Sequence, residues 1–342
     1  MRRFVGFEKG INLGGWLSQT ELTREHMDTF ITEEDFRKIK AMGLDHVRLP
    51  IDYELVEDEA GCKLNEGYTY IERAIDWAYA NGLNLVLDLH KTCGYVFDDD
   101  EYSAGFFGSE TLQDRFINLW RNLAKRFGSY HEHVAFELLN EVVDASSAEQ
   151  WNEVAERCIR AIRELAPDTW LLIGGTRNNA VTTLKDLRAP FDDKIVFNFH
   201  CYEPLIFTHQ AAQWIAGMPA DYRIDYPKGI AEYIDEVYRL INPDFAQPIE
   251  HLREMPAGKD FFRELFREAV EIAAKFDVPL YCGEYGVIDT ADADATLRWF
   301  EDIHAIFEEY GISRAAWSYK EMNFGITGSH YEPIQPNLIE YL

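Results

Sequence analysis

HVAFELLNEV, residues 133–142, and VPLYCGEYGV, residues 278–287, each run a short apolar, strand-like segment into a glutamate, Glu141 in the first and Glu284 in the second. A carboxylate that follows Phe136, Leu138 and Leu139 emerges from a packed core at its rim. In a parallel α/β barrel, the rim at the C-terminal ends of the strands is where chemistry is kept. Burying either carboxylate beside apolar neighbours is costly unless it is paired or hydrogen-bonded. Two such carboxylates facing each other are the minimum equipment for cleaving a glycosidic bond.

Working outward from these two runs, six more β-rich apolar segments recur: KGINLGGW, DHVRLPI, NLVLDLH, TWLLIGG, KIVFNFHCY and SRAAWSY. Amphipathic stretches lie between the eight, among them TEEDFRKIKAMG, YIERAIDWAYANG, QDRFINLWRNLAKRFG and AEQWNEVAERCIRAIREL. Thr32 is placed to cap the first of these and Gly43 to end it. Strand followed by helix, repeated about eight times, predicts an α/β fold, a closed (β/α)8 TIM barrel, over residues 1–342 as one domain. An open doubly wound sheet would more often show a Gly-rich phosphate turn after its first strand, and here GGW stands there instead. One connection breaks the rhythm. Residues 203–257, with Phe207, Trp214, Tyr222, Tyr226, Tyr233 and Tyr238 and with Pro219, Pro227, Pro243 and Pro248 among its prolines, predict a small folded lobe inserted after strand six and walling the cleft. The helix leading into strand seven is then DFFRELFREAVEIAAKF.

With 33 Lys plus Arg against 60 Asp plus Glu, the chain repels phosphate backbones and anionic lipid, which excludes nucleic acid and membrane surfaces as partners. Five widely spaced cysteines, Cys62, Cys93, Cys158, Cys201 and Cys282, contain no CxxC pair and predict neither a zinc site nor a disulfide framework. No run approaches the roughly 18 apolar residues of a membrane span, and the start MRRFVGFEKGINLGG lacks a secretory apolar stretch. The expectation is a protein of the cell interior or a mature secreted form, acting as a monomer.

At or near strand ends stand Arg48, His90, Asn140, Glu141, His200, Tyr202, Glu284 and Trp317, from six different strands. Each alone has a bland reading. Arg48 can pair with a structural acid, the histidines can be satisfied core groups, Tyr202 and Trp317 can be rim packing, and Asn140 can be a turn residue. Together they hold what a sugar site needs: cationic and phenolic donors for a carboxylate, polar groups for hydroxyls and an indole face.

These residues resemble those of the family 5 glycoside hydrolases, the cellulase family of retaining (β/α)8 glycosidases. The resemblance extends from GINLGGW to AAWSYK, and its motifs are the Asn140–Glu141 pair, Glu284 in GEYG and Trp317. Compact clostridial-type endoglucanases of that family also share the HVRLP and AFELLNE runs, the FTHQ segment and an insertion at the same place. The resemblance implies Glu141 as acid/base and Glu284 as nucleophile, with Arg48 and Tyr202 keeping Glu284 ionised. It further implies that Asn140 binds the sugar 2-hydroxyl, His90 and His200 line the cleavage subsite and Trp317 forms its floor. Lys91 departs from the pattern, since related sequences often place a second histidine there. Retaining chemistry with carboxyl groups about 5 to 5.5 Å apart, no metal or cofactor, and a bell-shaped pH profile follow from the same resemblance.

The expected substrate is a soluble or amorphous β-1,4-glucan or gluco-oligosaccharide. A β-mannanase or glucomannanase and an exo-β-glucosidase are alternatives that keep the same eight residues. Trp214, Phe207, Tyr95, Phe97 and Phe107 are candidate stacking platforms, with core packing the competing reading. A metal-dependent barrel hydrolase usually gathers several His and Asp ligands, often a pair of His on the first strand, and the first strand here offers none. A glycan-binding barrel without catalysis would usually have lost one carboxylate, and both are present.

Overall fold

In the computed structural model, residues 1–98, 103 and 105–342 are described. Eight parallel strands close into a barrel in chain order: β1 (Lys9–Asn12), β2 (His46–Asp52), β3 (Asn84–Lys91), β4 (Val134–Glu137), β5 (Leu171–Gly174), β6 (Ile195–Cys201), β7 (Leu280–Tyr285) and β8 (Ser313–Ala316). Closure is direct, with Lys9 opposite Arg314 and Gly10 opposite His46. Outside run the helices α1 (Glu33–Ala41), α2 (Asn65–Ala80), α3 (Glu110–Phe127), α4 (Ala148–Arg163), α5 (Ile230–Leu240), α6 (Lys259–Phe276) and α7 (Ala293–Tyr310). Each long helix buries one stripe against the strands, as Phe116, Leu119, Trp120, Leu123 and Phe127 do on α3. Caps fall where the side chains call for them. The Asp35 carboxylate accepts from the Thr32 N–H and hydroxyl ahead of α1, and Ser109 and Asp292 accept from the first-turn amides of α3 and α7.

The strand–helix alternation is less regular than expected. Between β5 and β6 the chain crosses without a long helix, on a four-residue segment, Thr176–Asn179, and a 3-10 turn, Val181–Asp186. The inserted segment is folded: a short turn Leu205–Thr208, α5 and a 3-10 stretch Pro243–Leu252 bury Phe207, Tyr226, Ile230, Tyr233, Ile234 and Val237. Tyr226 ties it to the barrel, its hydroxyl donating to Asp302 on α7 at 2.9 Å while its carbonyl accepts from Arg298.

The barrel interior is stacked with a period of two along the strands. At the N-terminal end Val86, Ala135, Leu172, Val196, Tyr281 and Ala315 pack under Phe4 and Phe7. Two residues further along β2, β3, β4 and β6 come Arg48, Asp88, Glu137 and Asn198, all fully buried. Two further again come His90 and His200, at the mouth. A polar middle layer therefore separates an apolar plug from the opening.

Candidate active site

Arg48 is the hub. It is the third of seven residues in β2 rather than a strand-end residue, which corrects the expectation and places its guanidinium one layer below the mouth. Its Nε and Nη2 donate to the two oxygens of Glu137 at 2.7 and 2.8 Å, a bidentate pair. Nη1 donates to Glu284 Oε1 at 2.8 Å and to Asn12 Oδ1 at 2.9 Å, and Nη2 to Asn140 Oδ1 at 2.9 Å. Asp88 Oδ2 lies 3.1 Å away. Burial opposes the charge of Arg48, but the surrounding carboxylates of Asp88, Glu137 and Glu284 carry its pKa well above the usual value.

Glu284 takes a second donor from the Tyr202 hydroxyl at 2.9 Å. With Arg48 on one oxygen and Tyr202 on the other, it is fixed as an acceptor. The register slips between β6 and β7 just here, His200 facing Glu284 past an unpaired Gly283. Only glycine fits: a Cβ on residue 283 would stand 2.7 Å from Asn198 Oδ1 and 3.1 Å from His200 Nε2. Asn198 in turn accepts from the Gly283 N–H and donates to Glu137, so the middle layer fixes the position of β7.

Glu141 lies four residues beyond the end of β4, yet the segment keeps to the line of the sheet. The Leu138 N–H donates to Leu172 O and the Asn140 N–H to Leu89 O. Glu141 itself has φ 31, strained for a side chain with a Cβ. One oxygen lies 2.7 Å from His200 Nδ1 and the other accepts from Asn178 Nδ2 at 3.0 Å. Burial raises its pKa, and Asn178, His90 and Arg48 offset that only in part. Burial pushes His200 down to about 4, outweighing the pull of Glu284, so it is a neutral ring at neutral pH.

His90 Nδ1 lies 2.6 Å from Asp88 Oδ2, and its ring stacks on Trp317 at 5.8 Å and 5°. Burial, eased only in part by Arg48, pushes Asp88 up to about 7. Trp317 follows β8 by one residue and Tyr202 follows β6 by one. Lys91 sits half-buried between Glu54 and Asp52, at 3.2 and 3.4 Å. Of the five aromatic platforms expected, two are corrected. Phe207 is buried in the core of the lobe against Tyr226. Tyr95 is also buried, its hydroxyl donating to Glu141 O and accepting from the Val143 N–H. Phe107 packs against Tyr95 and Phe106, Phe97 stands edge-on to His90, and Trp214 is 56% exposed.

Seven of the eight expected residues meet at this one mouth, and Arg48 reaches them from one layer below through its bonds to Glu284 and Asn140. Sequence reading missed Glu137, Asp88, Asn12, Asn198, Asn178 and Asn179. Counting back by twos from His90, His200 and Glu141 reaches Asp88, Asn198 and Glu137, so the strand period held that signal. No comparable signal marks Asn178 and Asn179.

Among the described residues, Glu141, His200 and Glu284 also bring one ligand atom each within 4.8 Å of one another, the donor set of a two-carboxylate, one-histidine cation site. Protein donors already occupy these oxygens, and the Arg48 guanidinium touching Glu284 opposes a second positive charge there.

A closed parallel barrel with two donor-held glutamates facing each other at its C-terminal mouth, above a buried arginine, defines the class of barrel glycoside hydrolases. The model of the cellulase family, glycosyl hydrolase family 5, matches residues 9–323, and the chain belongs to that family. Cellodextrinase A of Ruminococcus flavefaciens is 42% identical over 92% of this chain and 86% of its own. Endoglucanase C of Acetivibrio thermocellus is 42% identical over 99% and 98%. Among solved structures, endoglucanase Cel5A of Thermotoga maritima superposes with a TM-score of 0.77 at 24% identity, covering 98% of this chain and 97% of that one. That last likeness bears on the fold.

Proposed function

We propose that the protein is a retaining endo-β-1,4-glucanase acting on soluble or amorphous β-glucan, with Glu284 as nucleophile and Glu141 as acid/base. The observation that carries this reading is the spacing of the pair. One oxygen of Glu141 and one of Glu284 lie within 4.8 Å of each other, which suits direct attack by one carboxylate and the close pairing of a retaining enzyme, about 5–5.5 Å, better than the spacing of about 6.5–9.5 Å in an inverting one. The two environments also differ in the required sense. Glu284 accepts from a guanidinium on one oxygen and a phenol on the other, while Glu141 is desolvated and keeps its proton to higher pH than a free carboxyl.

In the first half-reaction Glu284 attacks the anomeric carbon while Glu141 gives its proton to the departing glycosidic oxygen. In the second, water attacks the glycosyl ester and Glu141 takes the proton back. Asn140, whose oxygen is taken by Arg48, presents its NH2 to the sugar 2-hydroxyl. Trp317 and the ring stacked on it, His90, supply the floor of the subsite. The lobe of residues 203–257 walls the cleft through His209, which packs edge-on to Tyr202 at 4.8 Å and carries Trp214 beyond it. Trp214 is the platform best placed to stack a sugar outside the cleavage subsite. Every group invoked comes from one chain, so a monomer suffices.

The names of the two 42%-identical relatives support a β-1,4-glucan substrate, one as an endoglucanase and one as a cellodextrinase. Cellopentaose resolved by chromatography separates the modes, with Glu284→Gln as control. Cellobiose plus cellotriose as the first products, and none from the variant, is the expected result. Glucose released one unit at a time would replace the endo reading with an exo one, and no cleavage at all would direct the search to mannan.

A further inference from the structure

Asn178 stands in a turn that the rest of the site does not explain. Arg177, Asn178 and Asn179 follow one another in the left-handed region, at φ 52, 57 and 55, a conformation unfavourable for residues with a Cβ and adopted by asparagine more readily than by most. The turn is locked to the strand-four loop. The Arg177 N–H donates to Val143 O and the Asn178 N–H to Val142 O, both at 3.1 Å, on the two residues that directly follow Glu141. From there Asn178 Nδ2 donates to Glu141 Oε2 at 3.0 Å. A carboxylate only accepts, so the nitrogen is the atom that faces it.

The next residue repeats the gesture one layer deeper. Asn179 is buried and enters space that Gly174 leaves open: a Cβ there would lie 2.2 Å from Asn179 Oδ1. Its Nδ2 comes to 3.5 Å from His200 Nε2, on the far side of the ring from the nitrogen that meets Glu141 Oε1. Two consecutive asparagines thus grip both routes to the same carboxyl group, one directly and one through His200. A turn needed only to connect β5 to β6 would require neither contact.

We propose that Asn178 is a positioning residue of the acid/base, its amide orienting the Glu141 carboxyl and favouring its ionised form. The proposal rests on the assignment of Glu141 made above. The physical need is clear. A general acid that must give a proton in one half-reaction and take one in the next works best when neither form dominates. Burial alone drives Glu141 towards the protonated form, and Asn178 is the strongest of the groups that oppose this. The other groups facing Glu141 are Arg48 on β2, Asp88 and His90 on β3, His200 and Tyr202 on or beside β6, and Glu284 on β7. Each of these side chains is retained when residue 178 is substituted.

The test uses Asn178→Gly, which keeps the left-handed backbone and deletes the amide, and Asn178→Asp, which keeps the shape and replaces the donor by a carboxylate. The readouts are the pH profile of kcat/KM and the dependence of rate on the leaving group among aryl β-cellobiosides, with melting temperature as a check. Removing a donor from a carboxylate raises its pKa. The alkaline limb of Asn178→Gly should therefore move up by about half to one pH unit, and that of Asn178→Asp further. Phenyl cellobioside, whose leaving group needs the proton, should lose about tenfold or more in kcat/KM, and dinitrophenyl cellobioside about twofold at most. Asn178→Asp carries the test alone should the glycine variant melt early. An unmoved alkaline limb with both substrates slowed equally would overturn the proposal. Glu141→Gln run in parallel separates the failures: if it too spares neither substrate selectively, the assignment of Glu141 is what has failed.

Discussion

The two ends of the barrel interior carry the same chemical groups and do different things with them. At the N-terminal end His46 lies between Asp45 Oδ1 at 2.6 Å and the Tyr281 hydroxyl at 2.9 Å, an acid–histidine–tyrosine chain. At the C-terminal end His200 lies 2.7 Å from Glu141, and the Tyr202 hydroxyl donates to Glu284 at 2.9 Å. The lower chain is closed. Phe4 and Phe7 stack at 4.2 Å beneath it, with Phe7 against His46 and Phe4 against Tyr281. A Cβ on Gly10 would lie 2.3 Å from the His46 ring, so nothing larger passes there. At the mouth the acids outnumber the nearby cations, one of them sits on a strained backbone, and loops rather than a plug cover it. An acid, a histidine and a phenol within hydrogen-bond reach do not make a site; access and an excess of carboxylate do.

Four changes sharpen or break this contrast. Glu284→Gln should lower kcat on cellopentaose by on the order of 10^4-fold with melting temperature preserved, since it removes the attacking oxygen and little packing. The middle layer should respond differently. Glu137→Gln takes away half of the bidentate partner of a fully buried Arg48, and denaturant titration should show about 3–5 kcal/mol lost, activity falling with it. Tyr281→Phe at the plugged end should cost about 1–2 kcal/mol by the same titration through the lost bond to His46, with kcat/KM per folded molecule unchanged; a large loss of rate would mean that the lower chain is not inert.

The last change concerns acid. Burial pushes His200 down to about 4 and His209 down to about 3. Both folded values lie below the ordinary histidine value of about 6.5. Each therefore contributes stability that is full above that value and lost as pH falls through the folded one. Asp88, raised to about 7, works in the opposite sense over the same range, so the test is differential: between pH 6.5 and 4 the parent should lose more melting temperature than His209→Gln, across the whole interval. An identical decline in the variant would remove His209 from this account.

Much of the site was legible because strand ends advertise themselves. Glu141, Glu284, His90, His200, Tyr202 and Trp317 each follow an apolar run, and a polar residue there has few places to go but the mouth. The family resemblance implied Arg48 as a partner for Glu284, but the strand reading placed it too high, since DHVRLPI continues as strand to Asp52. Glu137 was hidden inside the very run that pointed to Glu141, because a charged residue amid apolar neighbours reads as an interruption until its partner across the barrel is known. Tyr95 and Phe207 were open to two readings, and the packing of the lobe and the strand-three loop settled both as core. Asn178 and Asn179 lie in no motif that the sequence marks, and their left-handed run has no signature in composition.

Local chemistry set the strands, the helix stripes, the caps and the ends at which polar residues emerge, because the strand period of two and the helix period of 3.6 act over a few residues at a time. Barrel closure decided which groups meet. Arg48 and Glu284 are 236 positions apart and Glu141 and His200 are 59 apart, distances over which no periodicity carries information. The slip at Gly283, the twist that turns Glu141 inward and the turn that brings Asn178 to it exist only once neighbouring strands compete for the same space.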